Sequence, residues 1–271
     1  MPELPEVETT KRGITPHIKN KTISSVIVRQ TQLRWPVSPE ISQLLPHQQI
    51  LDIKRRAKYL LLETQLGTVI IHLGMSGSLR IVKKSEPVKK HDHIDIIFAD
   101  DTCLRYHDPR RFGAFLWTSE PIEEHKLIEK LGPEPLTDAF YLDDFYSKAK
   151  KRTLPIKSFM MDGHMVVGVG NIYASESLFL SKIHPSRACN KVSKARLNTL
   201  IHAIKTILRS SIEQGGTTLK DFVNSDGKPG YFQQTLNVYG RKGQPCTHCS
   251  TPIKQVTIGQ RSTFYCPTCQ H

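Results

Sequence analysis

Several things are missing from this chain of 271 residues, and each absence excludes a class of protein. No apolar run approaches the ~18 residues of a membrane span. The amino terminus, MPELPEVETT, is acidic and Pro-rich, so it reads as neither a secretory signal nor a transit peptide. No internal repeat is visible, which excludes solenoids and arrays. Acidic residues are scarce beside basic ones, 25 Asp+Glu against 38 Lys+Arg. Disorder is not expected as the dominant state, because apolar segments recur throughout and hydrophobic residues make up 38% of the chain. What remains is a soluble globular protein expected in the cytoplasm, long enough for two domains with a small appendage.

The acid deficit gives a formal net charge of +13 and a pI near 9.5. Clustered Lys and Arg neutralise phosphates, so the first partner to consider is nucleic acid. Charge alone does not separate binding from catalysis.

Of six cysteines, Cys103 and Cys189 stand alone and read as ordinary buried thiols. The other four form Cys246-x2-Cys249-x16-Cys266-x2-Cys269. Without a secretory signal this spacing denotes a zinc site and not a disulfide framework. Four thiolates close a tetrahedral shell and leave no position for water, so one structural Zn2+ is expected. Between the knuckles, Ile253–Ile258 and Arg261–Tyr265 read as two strands joined by Gly259-Gln260. Arg261 then stands at a hairpin tip, where it either only borders a stabilising ribbon or presents a cation to phosphate.

Pro2 and Glu3 open a helix-start signal before Val7–Arg12. From about 22 to 119 the pattern is of short strands: Ile23–Arg29, Ile50–Lys54, Tyr59–Glu63, Thr68–His72, Ser78–Val82, His93–Phe98, Thr102–Tyr106 and Gly113–Trp117. This spacing predicts an antiparallel sandwich or barrel. After Gly132-Pro133-Glu134-Pro135 the pattern turns helical, with Asp138–Lys151, Asn171–Ser181 and Lys194–Gln214. In the last, Leu197, Leu200, Ile201, Ile204, Ile207, Leu208 and Ile212 form an apolar stripe with the helical repeat.

Removal of Met1 before a small residue would leave Pro2 as a secondary amine. Such an amine condenses with an aldehyde carbon to give an iminium, an electron sink for the adjacent C–H. Glu3 beside it is placed to move protons. By residue type alone, however, Pro2 and Glu3 are helix-start residues, Met75 is core and Phe112 is a strand anchor.

The motifs taken together change that weighting. Pro2-Glu3-Leu4-Pro5-Glu6-Val7-Glu8, Lys58 in Arg55-Arg-Ala-Lys-Tyr59, and His72-Leu-Gly-Met-Ser-Gly77 are followed by Asp108-Pro-Arg-Arg-Phe-Gly113, Val167–Glu176 and the four-cysteine ribbon. In this order they closely resemble the formamidopyrimidine-DNA glycosylase branch (Fpg/MutM) of the Fpg/Nei family, over essentially the whole chain.

The resemblance implies an α+β protein. Its parts would be an N-terminal catalytic β-sandwich (1–132), a helix–two-turns–helix domain with a lesion-capping loop (133–236, the loop resembling Thr217–Tyr231), and a zinc ribbon (237–271). It implies excision of oxidised purines, 8-oxoguanine and formamidopyrimidines, from damaged double-stranded DNA by a monomer, with the lesion flipped out of the duplex. Pro2 would attack the sugar, Glu3 would act as acid/base, Lys58 would serve β-elimination, and Arg261 would serve phosphate binding and δ-elimination. Met75, Arg110 and Phe112 would fill the gap left by the flipped base and wedge the opposite strand. His72, His91, Asn171 and Tyr239 would contact the DNA backbone. Arg152 or its neighbour Lys151 would add a basic contact in a register one residue off the family pattern. Two alternatives are an endonuclease VIII-like enzyme for oxidised pyrimidines and a non-enzymatic zinc-ribbon DNA-binding protein. Leu4 and the complete Met/Arg/Phe set speak against the first; Pro2-Glu3 with Lys58 speaks against the second.

Overall fold

The computed structural model describes residues 2–215 and 236–271. The segment matched above to a lesion-capping loop lies outside the described residues. Contacts divide the chain into two compact units, one built mainly from residues up to Glu129, the other from Lys130–Glu213 with 236–271.

The first unit opens with helix α1 (Leu4–Ile18). Pro5 sits in its first turn, where no intrahelical amide is needed. The Glu6 carboxylate reaches back to the Glu3 N–H at 2.8 Å, one arm of a capping box. Val7, Ile14 and Ile18 turn one face of α1 into the core. Eight strands follow: β1 (Ile23–Val28), β2 (Asp52–Arg56), β3 (Tyr59–Glu63), β4 (Thr68–His72), β5 (Ser78–Lys83), β6 (Asp92–Phe98), β7 (Thr102–His107) and β8 (Ala114–Thr118). They form two four-stranded antiparallel sheets, ordered β1-β6-β7-β5 and β2-β3-β4-β8. Leu60 and Leu62 on β3, Val69 and Ile71 on β4, Ile94, Ile96 and Phe98 on β6, and Leu104 and Tyr106 on β7 meet in one core. Alternation within each strand therefore builds a sandwich between the two sheets.

The expected strands are all present, with shifted ends. The largest shift is in β2, which starts two residues later than the apolar run. Ile50 is drawn away by the chain after α1: its N–H donates to the Lys21 carbonyl and its own carbonyl accepts from Asn20. A short helix, α2 (Glu40–Gln43), was not expected. It is too short to show a periodicity, and only Ile41 is buried on it.

The second unit holds α3 (Leu142–Lys150), α4 (Ile156–Met161), α5 (Asn171–Leu180) and α6 (Lys194–Glu213). Helix α3 starts later than expected because residues before it turn to bury Phe140, whose N–H donates to the Thr137 carbonyl. On α6, Leu197, Leu200, Ile201, Ile204 and Leu208 pack against Phe145, Phe159, Tyr173 and Leu178. The Tyr173 and Ser211 hydroxyls meet at 2.5 Å, tying α5 to α6. The unit ends in the hairpin β9 (Lys254–Ile258) and β10 (Arg261–Tyr265), whose own small core contains Phe179, Val238, Ile253 and Phe264. No helix among the described residues is long and apolar enough to cross a membrane.

Candidate active site and metal centre

Pro2 and Glu3 lie buried immediately ahead of α1, Glu3 only 2% exposed. A carboxylate at a helix amino terminus is favoured by the helix dipole. Five residues further on, Glu8 takes the guanidinium of Arg55 at 3.0 Å and Lys11 at 3.0 Å. Burial pushes the Glu8 carboxyl up, but the hydrogen bonds and charges of Lys11 and Arg55 outweigh it and hold it below the usual range. Arg55 also donates from Nη1 to the Ala57 carbonyl at 2.9 Å. Ala57 has φ +53°, in the tight turn between the paired residues Arg56 and Tyr59. That turn presents Lys58, half-buried. An ion pair thus braces the helix that starts at Pro2 and Glu3 against the turn that carries Lys58. The sequence reading passed over Arg55, whose role appears only once α1 lies beside β2.

A second group surrounds the end of β4. His72 Nδ1 accepts the Gly74 N–H at 2.9 Å. Burial first, then the charges of Lys58 and Arg34, push the imidazole down to about 4. His72 is therefore neutral near pH 7, with Nε2 as its protonated nitrogen. Met75 and Phe112 contradict the core and strand-anchor roles suggested by residue type alone. They are 37% and 47% exposed, on turns and not in the sheet interior. The Arg110 guanidinium lies 4.9 Å from the Phe112 ring and touches the Met75 sulfur. Arg34, His72, Gly74, Met75 and Phe112 line a groove of about 380 Å³. Arg34 stacks on Trp35 at 4.8 Å and was not singled out by sequence; an Arg-Trp pair in a loop is too common a pattern to signal a site. His91, half-buried with φ +76°, lies edge-on to His93 and His107, each 6.1 Å away.

The remaining candidates belong to the second unit. Asn171 is the first residue of α5, after Gly170 at the cap. Its Nδ2 donates to the Ser262 carbonyl at 2.9 Å and its Oδ1 accepts from Lys157 Nζ at 2.5 Å. Lys157, 1% exposed, also donates to Thr263 Oγ1 at 2.7 Å. The sequence reading missed Lys157; its one signal is an ammonium within the short apolar stretch Ile156–Met161. Arg261 is exposed at the start of β10. Gly259 and Gln260 both have positive φ, +54° and +61°, which makes the tip a type I′ turn matched to the strand twist. Tyr239 is half-buried, packed on Phe264 at 5.1 Å, and donates its N–H to Glu176 at 2.9 Å. Glu176, 2% exposed and also missed, accepts the N–H groups of Asn237 and Val238 as well. Arg152 pairs with Asp162 at 3.1 Å, and Asp162 also takes His164 at 2.7 Å. Lys151 is exposed beside it.

The four ribbon cysteines place their sulfurs within 4.8 Å of one another. Pairs measure 3.9 Å for Cys246–Cys269, 3.4 Å for Cys249–Cys266 and 3.5 Å for Cys249–Cys269. A zinc–sulfur bond of about 2.3 Å sets tetrahedral sulfurs about 3.8 Å apart, so the geometry fits. The hydroxyl and amide of Thr251 draw the Cys249 thiol down to about 6. Burial, then the neighbouring sulfurs, hold Cys269 up. A dication reverses that penalty by binding all four as thiolates. These cysteines form the ligand set of one structural zinc.

An antiparallel sandwich, a helical unit and a thiolate-clamped hairpin define a protein of the helix–two-turns–helix type with a zinc finger. Three family models match in succession. They are the formamidopyrimidine-DNA glycosylase N-terminal domain over residues 1–115, the formamidopyrimidine-DNA glycosylase H2TH domain over 131–223, and a zinc finger found in FPG and IleRS over 243–271. The formamidopyrimidine-DNA glycosylase of Teredinibacter turnerae is 57% identical, covering 100% of both chains. That of Hydrogenovibrio crunogenus is 55% identical, covering 100% of this chain and 96% of its own. Among solved structures, the MutM (Fpg) protein of Thermus thermophilus is 35% identical with a TM-score of 0.89, covering 99% of this chain and 98% of its own. A Lactococcus lactis Fpg mutant in complex with Fapy-dG-containing DNA is 33% identical with a TM-score of 0.93, covering 100% of both. The chain belongs to the formamidopyrimidine-DNA glycosylase family.

Proposed function

We propose that this chain is a bifunctional DNA glycosylase and AP lyase of base-excision repair, acting on oxidised purines in double-stranded DNA. The observation that carries the reading is the bracing of Pro2-Glu3 and the Lys58 turn through Glu8 and Arg55. It gives an amine, a carboxylate and an ammonium one rigid support, as covalent catalysis requires. With Met1 removed, the Pro2 nitrogen forms a bond to the sugar C1′ as the C1′–base bond breaks, and Glu3 exchanges the proton of sugar-ring opening. The resulting iminium acidifies the C2′ hydrogen. Its loss, with Lys58 in proton transfer, expels the 3′ phosphate, and δ-elimination expels the 5′ phosphate.

Arg261, on its rigid turn, grips a phosphate during these steps. His72, His91, Asn171, Tyr239 and Arg152 add backbone contacts, while Met75, Arg110 and Phe112 fill the space left by the flipped nucleotide. Asn171 and Lys157 both hydrogen-bond the Ser262 carbonyl next to Arg261, which favours a joint phosphate site. The chain works as a cytoplasmic monomer with functional divisions at 1–132, 133–236 and 237–271.

Borohydride trapping on 8-oxoguanine DNA tests the reading. Native protein with a free Pro2 gives a covalent adduct and Pro2→Gly greatly weakens it; absence of the native adduct removes the lyase activity. A preference for thymine glycol over 8-oxoguanine would instead assign the pyrimidine specificity of the sister group.

A further inference from the structure

The turns carrying Met75 and the Arg110–Phe112 pair rest on one buried floor. Tyr106 is fully buried, and its hydroxyl donates to Asp108 Oδ2 at 3.0 Å. The same oxygen accepts the Gly113 N–H at 2.8 Å. The Asp108 carbonyl accepts from His93 Nε2 at 2.8 Å and from the Arg111 N–H at 3.2 Å. Asp108 therefore closes the loop 108–113 at both ends.

The Met75 turn lies on the same hydroxyl. A Cβ on Gly77 would come to 3.1 Å from Tyr106 Oη, and one on Gly113 would collide with it. A Cβ on Gly74 would collide with the Phe112 and Gly113 backbone, so the two turns also interlock. Burial, then the charge of Asp108, raises the Tyr106 phenol well above its ordinary value, so it remains a donor. Asp108 is 0% exposed, yet its Oδ1 has no hydrogen-bond partner among the described residues. A buried carboxylate oxygen left unpaired costs stability.

We propose that Tyr106 and Asp108 are positioning residues that set the orientation of Arg110 relative to Met75 and Phe112, and through it the selectivity for the base opposite the lesion. The proposal rests on the reading of those three side chains as the wedge. Filling a gap with apolar atoms is non-directional and tolerates small shifts. Recognition of the orphaned base by a guanidinium depends on hydrogen bonds that weaken steeply with misalignment. Loosening the floor should therefore degrade selectivity before it degrades base removal.

The test is single-turnover excision of 8-oxoguanine opposite cytosine and opposite adenine, with borohydride trapping on abasic DNA as the reference. Tyr106→Phe should lower the cytosine-to-adenine rate ratio about fivefold to tenfold, the scale of one lost buried hydrogen bond, and Asp108→Ala, which takes the acceptor from both Tyr106 and Gly113, should lower it further, with trapping unchanged in both. Asp108→Asn should restore the ratio, because its carbonyl oxygen can still accept both donors. An unchanged ratio in both disruptive variants overturns the proposal. So does an equal fall in excision opposite both bases and in trapping, or a Tyr106→Phe chain that does not fold. A wild-type protein that traps no adduct defeats the enzymatic reading itself, an outcome separable from the others.

Discussion

Two tight turns each present a cation, and they are held by different means. The Lys58 turn is braced by Arg55 and Glu8 and backed by the sandwich core, in which Leu60 and Leu62 are fully buried. The Arg261 turn tops two five-residue strands whose local core is Phe179, Val238, Ile253 and Phe264 with the cysteine sulfurs. A core that small supplies little folding energy, and zinc supplies the remainder. The same presentation of a charge is thus achieved once by hydrophobic burial with an ion pair, and once by coordination.

The comparison breaks most sharply on metal removal. Chelation, or Cys249→Ser, should weaken duplex binding by about 100-fold or more while leaving the thermal transition of the sandwich in place. Fluorescence anisotropy and calorimetry on the same sample check this, and binding that survives verified zinc loss defeats it. Next in size is Leu62→Ala, expected to cost about 2–5 kcal/mol in urea denaturation with zinc content unaltered. Arg55→Met should then lower the AP-lyase rate about tenfold through misplacement of Lys58, with the zinc site untouched; a wild-type rate would show that the brace is dispensable.

A further effect concerns pH. The folded His72 value, about 4, lies below the ordinary 6.5, so the unfolded chain binds the proton first. Stability should decline as pH falls from about 6.5 to about 4 and level off below. His72→Gln should flatten that part of the profile in pH-dependent melts. Least of all, Arg261→Ala should reduce the slope of log affinity against log salt by about one, the signature of a single phosphate contact.

Strand positions were legible because each short run is rich in β-branched and aromatic residues and bounded by Gly, Asp or Pro turns, and α6 because its stripe spans several turns. The cysteine spacing identified the metal centre outright. Arg55, Lys157 and Glu176 were not legible: each is one polar residue whose meaning comes from partners far along the chain. Glu176 accepts amides of residues 237–239, and Lys157 reaches Thr263. Met75 and Phe112 illustrate the opposite failure. Their residue types suggest burial, while the turns that hold them point outward.

Arg110 touches both Met75 and Phe112 in the free protein. A probe assembled in advance does not have to order its side chains each time it meets a base pair, a step that costs about 0.5–1.5 kcal/mol per flexible side chain. The consequence is kinetic. If these three side chains act as the proposed wedge, each encounter with a base pair starts without that ordering cost.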